Sequence, residues 1–209
     1  MAQRILGIDP GLTRCGAGIV DVGQARRVDL VHVEVIRTPT DAELQPRLGL
    51  IGVAVERLLD EYRPEAVSIE RVFAEQRNLN TVMGVAQVTG IVIREAHRRG
   101  IDAELHTPSE VKAAVSGYGN ADKAQVQRMV QRILRLDAPP KPADAADAAD
   151  ALALAICAAW QSPLARVRPE QRTHGSGLGQ VKPVSGATPA QEAWLAAERS
   201  ANSGRRRLR

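Results

Sequence analysis

The hydrophobic pattern of this chain changes from strand-like to mainly helical near residue 43. Before that point, three short apolar runs follow one another across tight connections, which predicts an antiparallel meander of strands. After it, apolar residues recur at helical spacing, with two short strand-like runs between the helices. The predicted order is β-β-β-α-β-α-β-α-α-α. The strands are at 4–9, 16–22, 28–38, 66–70 and 102–105, and the helices at 44–62, 80–99, 108–115, 123–134 and 143–161.

An antiparallel hairpin that leads into βα crossovers implies a mixed sheet covered by helices. We therefore predict an α/β fold with a five-stranded sheet in a domain at 1–161. Aromatic residues are only 2% of the chain, so its core must consist of Ala, Val, Leu and Ile. Residues 162–209 are rich in Pro, Gly, Ser and Arg, which predicts a largely disordered tail.

The positive net charge belongs to that tail. Residues 162–209 carry nine Lys/Arg and three Asp/Glu, a net charge of +6, whereas residues 1–161 carry 19 bases and 21 acids, a net charge of −2. A basic terminus fits a nucleic-acid partner, but it is equally common as a solubilising segment. Charge alone therefore leaves the partner open.

The chain carries no pattern typical of export or membrane insertion. Its N-terminus enters an apolar strand without a signal-peptide core, and no apolar run approaches the roughly 20 residues of a membrane helix. The two cysteines, Cys15 and Cys157, are far apart and predict neither a disulfide framework nor a zinc site. We expect a soluble, reduced, cytoplasmic protein with no membrane partner.

Acidic residues stand at the ends of two predicted strands and along one helix. Asp9 and Glu70 each end a strand, where an acid can also be a simple turn residue. Asp144, Asp147 and Asp150 recur every three residues in an Ala-rich helix, on one helical face and without matching bases in the helix. Such a stripe needs a cation or a solvated face. Carboxylates crowded together from two strands and a helix predict a magnesium site suited to phosphodiester cleavage.

Five short motifs follow one another along the chain: GIDPG at 7–11, IERVF at 69–73, PSEVK at 108–112, ADKAQVQ at 121–127 and ADAADALA at 146–153. In this order, they closely resemble the RuvC family over residues 4–160. RuvC proteins are crossover (Holliday) junction endodeoxyribonucleases of the RNase H-like superfamily. The resemblance implies an RNase H-like fold for the predicted mixed sheet.

The resemblance also implies residue roles. Four acids match the catalytic, metal-binding positions of the family: Asp9, Glu70, Asp147 and Asp150. They imply two Mg²⁺ ions, with Mn²⁺ as a substitute. Phe73 matches an aromatic that stacks on a base near the junction point, while Lys112 and Lys123 match residues that contact phosphates near the scissile bond.

The implied activity is resolution of four-way DNA junctions by paired symmetric nicks, in homologous recombination and DNA repair. The implied partners are junction DNA, a RuvA–RuvB branch-migration complex and a second copy of the chain. The dimer would form partly through the 80–99 helix, where Gly84, Ala86 and Gly90 would let another backbone approach. Packing on its own sheet is the alternative for these small residues.

The chain departs from the family at one point, because it has DAADAAD where one DAAD unit is usual. The following ALAL run selects Asp147 and Asp150 as ligands, which leaves Asp144 as a helix N-cap. A later helix start would instead let Asp144 replace a ligand.

Three other functions compete with junction cleavage. An actin-like or sugar-kinase-like ATPase also has a GIDxG-like loop, but it needs two copies of the fold. A non-catalytic junction-binding protein would lack a carboxylate, and a related nuclease could act on RNA.

Overall fold

The computed structural model describes residues 3–71, 79–137 and 144–161. Its elements follow the predicted order. The strands are β1 (Gln3–Asp9), β2 (Arg14–Val22), β3 (Val28–Arg37), β4 (Ala66–Glu70) and β5 (Asp102–His106). The helices are α1 (Leu44–Tyr62), α2 (Leu79–Arg98), α3 (Pro108–Ser116), α4 (Lys123–Leu134) and α5 (Ala145–Gln161). Phe73 and the predicted tail lie outside the described residues.

The five strands form one mixed sheet in the order β3-β2-β1-β4-β5. β1, β2 and β3 are antiparallel, as the meander prediction required. β4 runs parallel to β1, and β5 runs parallel to β4. β2 starts two residues before its predicted beginning, because Arg14 and Cys15 continue the ladder opposite Arg37 and Ile36.

Helices cover both faces of this sheet. Successive side chains of a strand point to opposite faces. Leu6 and Ile8 of β1 therefore join the core formed with α1 and α2, whereas Ile5 joins the core formed with α3, α4 and α5. By the same alternation, Gly7 and Asp9 share the face of Ile5. The α5 face of the sheet therefore receives the first predicted metal ligand.

Glycines let α5 lie unusually close to β1 and β2. A Cβ added at Gly7 would overlap the carbonyl oxygen of Ala151 and lie 2.6 Å from the amide nitrogen of Ala155. One added at Gly16 would lie 2.5 Å from the carbonyl oxygen of Asp147. The helix meets these glycines with alanines, so backbone packs almost directly on backbone. This contact sets the height of the α5 aspartates above the sheet.

Across the described ranges, no helix combines the length and the apolar character that crossing a membrane requires. Cys15 and Cys157 are both buried and unpaired, in agreement with the absence of a predicted disulfide.

Candidate metal centre

Two of the predicted acids end neighbouring parallel strands. β1 and β4 remain paired up to Ile8 opposite Ile69, so Asp9 and Glu70 follow side by side at the carboxyl edge of the sheet. Ile8 and Ile69 are buried in the core with α1 and α2. Because strand side chains alternate between faces, Asp9 and Glu70 belong to the face that α5 covers.

Helix α5 adds two more carboxylates above this edge. Asp147 and Asp150 are three residues apart and share one side of the helix. One carboxylate oxygen from each, together with one from Asp9, forms a group whose members all lie within 4.8 Å of one another. All three residues are partly exposed, so solvent can reach the group. Three of the four predicted ligands therefore converge.

Glu70 lies beside this group. It is not one of the three residues whose oxygens satisfy the 4.8 Å criterion in the described part of the chain. Its negative charge nevertheless raises the pKa of Asp9 more than the charges of Asp150 and Asp147 do. Glu70 is therefore electrostatically coupled to the centre.

The electrostatics of Asp9 indicate that the centre suits a cation. Burial is the main cause that raises the pKa of Asp9 to about 7, followed by repulsion from Glu70, Asp150 and Asp147. Ionising clustered carboxylates is costly without compensating positive charge. A divalent ion supplies that charge, and carboxylate oxygens are the ligands that Mg²⁺ prefers. The donor set and its environment both fit a hard divalent cation.

Basic side chains from other elements already lie against the α5 aspartates. Nζ of Lys123, the first residue of α4, is 2.7 Å from Oδ2 of Asp150. Arg14, at the start of β2, forms an ion pair with Asp147. The helix itself contains no such bases, and its aspartates pair instead with bases from α4 and β2. Arg14 was missed, although it precedes Gly16 by two residues and so shares the strand face that α5 covers.

The third aspartate of the stripe has a different environment. Asp144 immediately precedes α5, and its carbonyl accepts a hydrogen bond of 2.9 Å from the amide of Ala148. This is the position expected of an N-cap residue. Its carboxylate forms ion pairs with Arg14, at 3.4 Å from Nη2 to Oδ1, and with Arg37. Asp144 therefore links two arginines at the rim of the centre.

Asp144→Asn should leave the rate of junction cleavage in Mg²⁺ within a few fold of wild type, because the carboxylate it removes pairs with arginines. Asp147→Asn should lower the rate by about a hundredfold or more, since it removes one of the three converging carboxylates. Single-turnover nicking of a labelled junction measures both. Equal losses in the two variants would show that Asp144 is a ligand.

The two predicted phosphate-binding lysines lie in different places. Lys123 points at the centre through its contact with Asp150. Lys112 lies in α3 and is partly exposed, and within the described ranges no ion pair joins it to the acidic group. Its role remains a prediction, as does base stacking by Phe73.

A family model described as Crossover junction endodeoxyribonuclease RuvC matches residues 5–158. The chain belongs to the RuvC family. A RuvC from Leifsonia xyli subsp. xyli is 56% identical over 200 residues, which span 96% of this chain and 94% of the relative. A RuvC from Streptomyces avermitilis is 61% identical over 161 residues, covering 77% and 89%.

Solved structures agree with this membership. The structure of T. thermophilus RuvC in complex with Holliday junction substrate matches with a TM-score of 0.70 and 36% identity. The match covers 76% of this chain and 93% of that chain. The yeast mitochondrial Holliday junction resolvase Ydc2 matches with a TM-score of 0.57 at 15% identity, covering 79% and 82%. This second match concerns the fold alone, and both support the RNase H-like sheet.

Proposed function

We propose that this chain is a crossover junction endodeoxyribonuclease that resolves four-way (Holliday) DNA junctions by paired symmetric nicks, in recombination and DNA repair. The observation that carries the proposal is the convergence of Asp9, Asp147 and Asp150 at 4.8 Å or less, in a member of the RuvC family. The printed names of the relatives and the junction complex of the T. thermophilus protein support the same substrate.

The proposed cofactor is Mg²⁺, as two ions held by Asp9, Glu70, Asp147 and Asp150, with Mn²⁺ as a substitute. An all-oxygen, partly exposed donor set supports this choice. When bound, such ions supply Lewis-acid chemistry that activates a water for attack on phosphorus and stabilises the departing oxygen.

The basic residues at the centre are proposed to bind DNA phosphates as well. The Lys123 side chain is 60% exposed and Arg14 is 37% exposed, so both can turn from the aspartates towards DNA phosphates. With divalent ions bound to Asp150 and Asp147, Lys123 and Arg14 would bind phosphates of the cut strand. Lys112 is proposed to contact a further phosphate, and Phe73 to stack on a base.

A homodimer would bring two such centres to the two strands that must be cut. An exposed apolar stripe on α2 supports this proposal: Leu79 is 70% exposed, Met83 52% and Ile93 37%. Ala86 and Gly90 are exposed on the same helix at matching spacing. Gly84 is instead buried, where an added Cβ would lie 3.3 Å from Leu12, so it serves packing within the subunit.

The further proposals follow from the substrate. A DNA-acting member of this family would work where the cell keeps its DNA, which in bacteria is the cytoplasm. Cooperation with a RuvA–RuvB branch-migration complex remains a proposal from the family resemblance.

The direct experiment incubates the protein with a labelled synthetic four-way junction in Mg²⁺. Paired symmetric nicks in the junction, with none in a linear duplex of the same sequence, are expected. An RNA–DNA hybrid and an ATP-binding titration test the RNase and ATPase alternatives. Cutting of the duplex or hybrid at the same rate as the junction would contradict the proposed selectivity.

A further inference from the structure

A pocket of about 430 Å³ lies between the β1–β2 turn and the beginnings of α1 and α2. Polar groups from three elements line it: Thr13 and Arg14 from the turn and the start of β2, Arg47 from α1 and Thr81 from α2. Its remaining lining consists of small or aliphatic residues. The described lining residues therefore offer cations and hydroxyls, and none of them is aromatic.

Arg47 is oriented in this pocket by neutral groups. Its Nε donates to Oγ1 of Thr38 at 2.9 Å, and its Nη2 donates to Oγ1 of Thr13 at 2.7 Å. Thr38 is buried and donates in turn to the carbonyl of Leu12 at 2.6 Å. These bonds hold the guanidinium in place, and the two acceptor groups are neutral.

Arg57, on the same helix, differs from Arg47 because its partners are carboxylates. It forms ion pairs with Glu34 and Glu61, and most arginines of the described residues have similar carboxylate partners. No carboxylate pairs with Arg47 anywhere in the described part of the chain. A fixed, partly buried guanidinium without an acid is suited to an anion from outside the protein.

Arg14 connects the pocket with the metal centre. Arg14 lines the pocket and also contacts Asp147. Gly11 and Thr13, which also line it, follow Asp9 by two and four residues. An anion bound beside Arg47 would therefore neighbour the phosphate that undergoes cleavage.

We infer that this pocket binds a backbone phosphate of the DNA strand that is cut, with Arg47 as its principal donor. The inference rests on the proposed function and names a contact of that same substrate. The fork of N–H donors on a guanidinium suits phosphate oxygens. Binding a neighbouring phosphate there would position the scissile phosphate over the carboxylates.

The first test compares Arg47→Gln with Arg57→Gln, which removes the same charge from the same helix. Junction binding is measured against salt concentration in EDTA, so that no cleavage occurs. Arg47→Gln should weaken binding about tenfold, as expected for one charge-assisted hydrogen bond, and reduce the slope of log K against log salt by about 0.9. Arg57→Gln should leave the slope unchanged. Equal slopes in all three proteins would overturn the inference.

The second test locates the phosphate. Single neutral methylphosphonates are placed at successive positions of the junction strands, and binding is measured for wild type and Arg47→Gln. At one position next to the cleavage site, the methylphosphonate should weaken junction binding by the wild-type protein about tenfold. At that position it should not change junction binding by Arg47→Gln. Absence of any such position would overturn the inference.

A third variant guards against misfolding. If Arg47→Gln does not melt cooperatively, Arg47→Lys is tested in its place. This variant keeps the positive charge and loses the paired N–H donors of the guanidinium. It should bind several-fold more weakly with an unchanged salt slope, and a wild-type affinity would count against Arg47 as the donor. A wild type that neither binds nor cuts junctions would overturn the proposed function itself. If the wild type cuts junctions and the salt slope of binding is the same in Arg47→Gln, only the phosphate-binding role of the pocket would be overturned.

Discussion

Asp9→Asn should lower the rate of junction cleavage by about a thousandfold or more, while junction binding survives. Of the three converging acids, Asp9 is the one that lies in the sheet, so its loss leaves only the two α5 aspartates in that group. Asn keeps the shape of the side chain and removes the charge that a divalent cation requires. Single-turnover cleavage and gel-shift binding in parallel measure the two effects. Substantial cutting by Asp9→Asn in Mg²⁺ would refute the metal assignment.

The same variant should be more stable than wild type when no cation is present. Burial and the neighbouring carboxylates raise the pKa of Asp9 from its ordinary 3.8 to about 7. Below pH 3.8, Asp9 is protonated in both the folded and the unfolded chain, so it does not lower the free energy of unfolding. As the pH rises towards 7, the unfolded chain loses this proton first, so folding becomes less favourable. Above pH 7, Asp9 is ionised in both states, and its burial lowers the free energy of unfolding by up to about 4 kcal/mol.

Thermal melting in EDTA tests this pH dependence. The melting temperature of Asp9→Asn should exceed that of wild type by several degrees at pH 8, and the difference should vanish near pH 4. Adding Mg²⁺ should raise the melting temperature of wild type more than that of Asp9→Asn, because the ion stabilises the state that binds it. A variant less stable than wild type at pH 8 would contradict the assigned electrostatic cost.

Gly7→Ala should destabilise the protein by about 3 kcal/mol or more, although it adds a single methyl group. The added Cβ would overlap the carbonyl of Ala151 and lie 2.6 Å from the amide nitrogen of Ala155. Both are backbone atoms of α5, so no side chain can turn aside. The helix must lift from β1, and it would carry Asp147 and Asp150 away from Asp9.

Gly49→Ala is the matched control for this substitution. Gly49 is exposed in α1, and a Cβ there would have nothing within 4 Å. Because Ala is the better helix former, this variant should gain about 0.5–1 kcal/mol. Chemical denaturation measures both free energies of unfolding, and loss of the Mg²⁺-dependent rise in melting temperature would report the displaced helix. Similar stabilities of the two variants would contradict direct contact between α5 and the sheet.

Local patterns in the sequence were sufficient to predict the element order. Strand alternation and helical spacing are properties of neighbouring residues, so the ten elements and their mixed sheet could be predicted before any long-range contact was known. The family motifs added the four candidate ligands and the substrate. Of these ligands, Asp9, Asp147 and Asp150 converge in the structure, and Glu70 lies beside them.

Contacts between distant parts of the chain could not be predicted in this way. Arg14 and Arg37 reach Asp144 and Asp147 across more than 100 residues, and spacing within α5 contains no information about them. Arg47 likewise has no signature along α1, because its partners come from the β1–β2 turn and the end of β3.

The sequence by itself therefore determined which elements form, and which acids stand at strand ends and on one helical face. These features depend on backbone periodicity, which acts over a few residues. The tertiary structure decided how these acids are arranged: Asp147 and Asp150 lie beside Asp9, and Asp144 lies at the rim with Arg14 and Arg37. The physical reason is the contact of α5 with Gly7 and Gly16, which sets the height and register of the helix above the sheet.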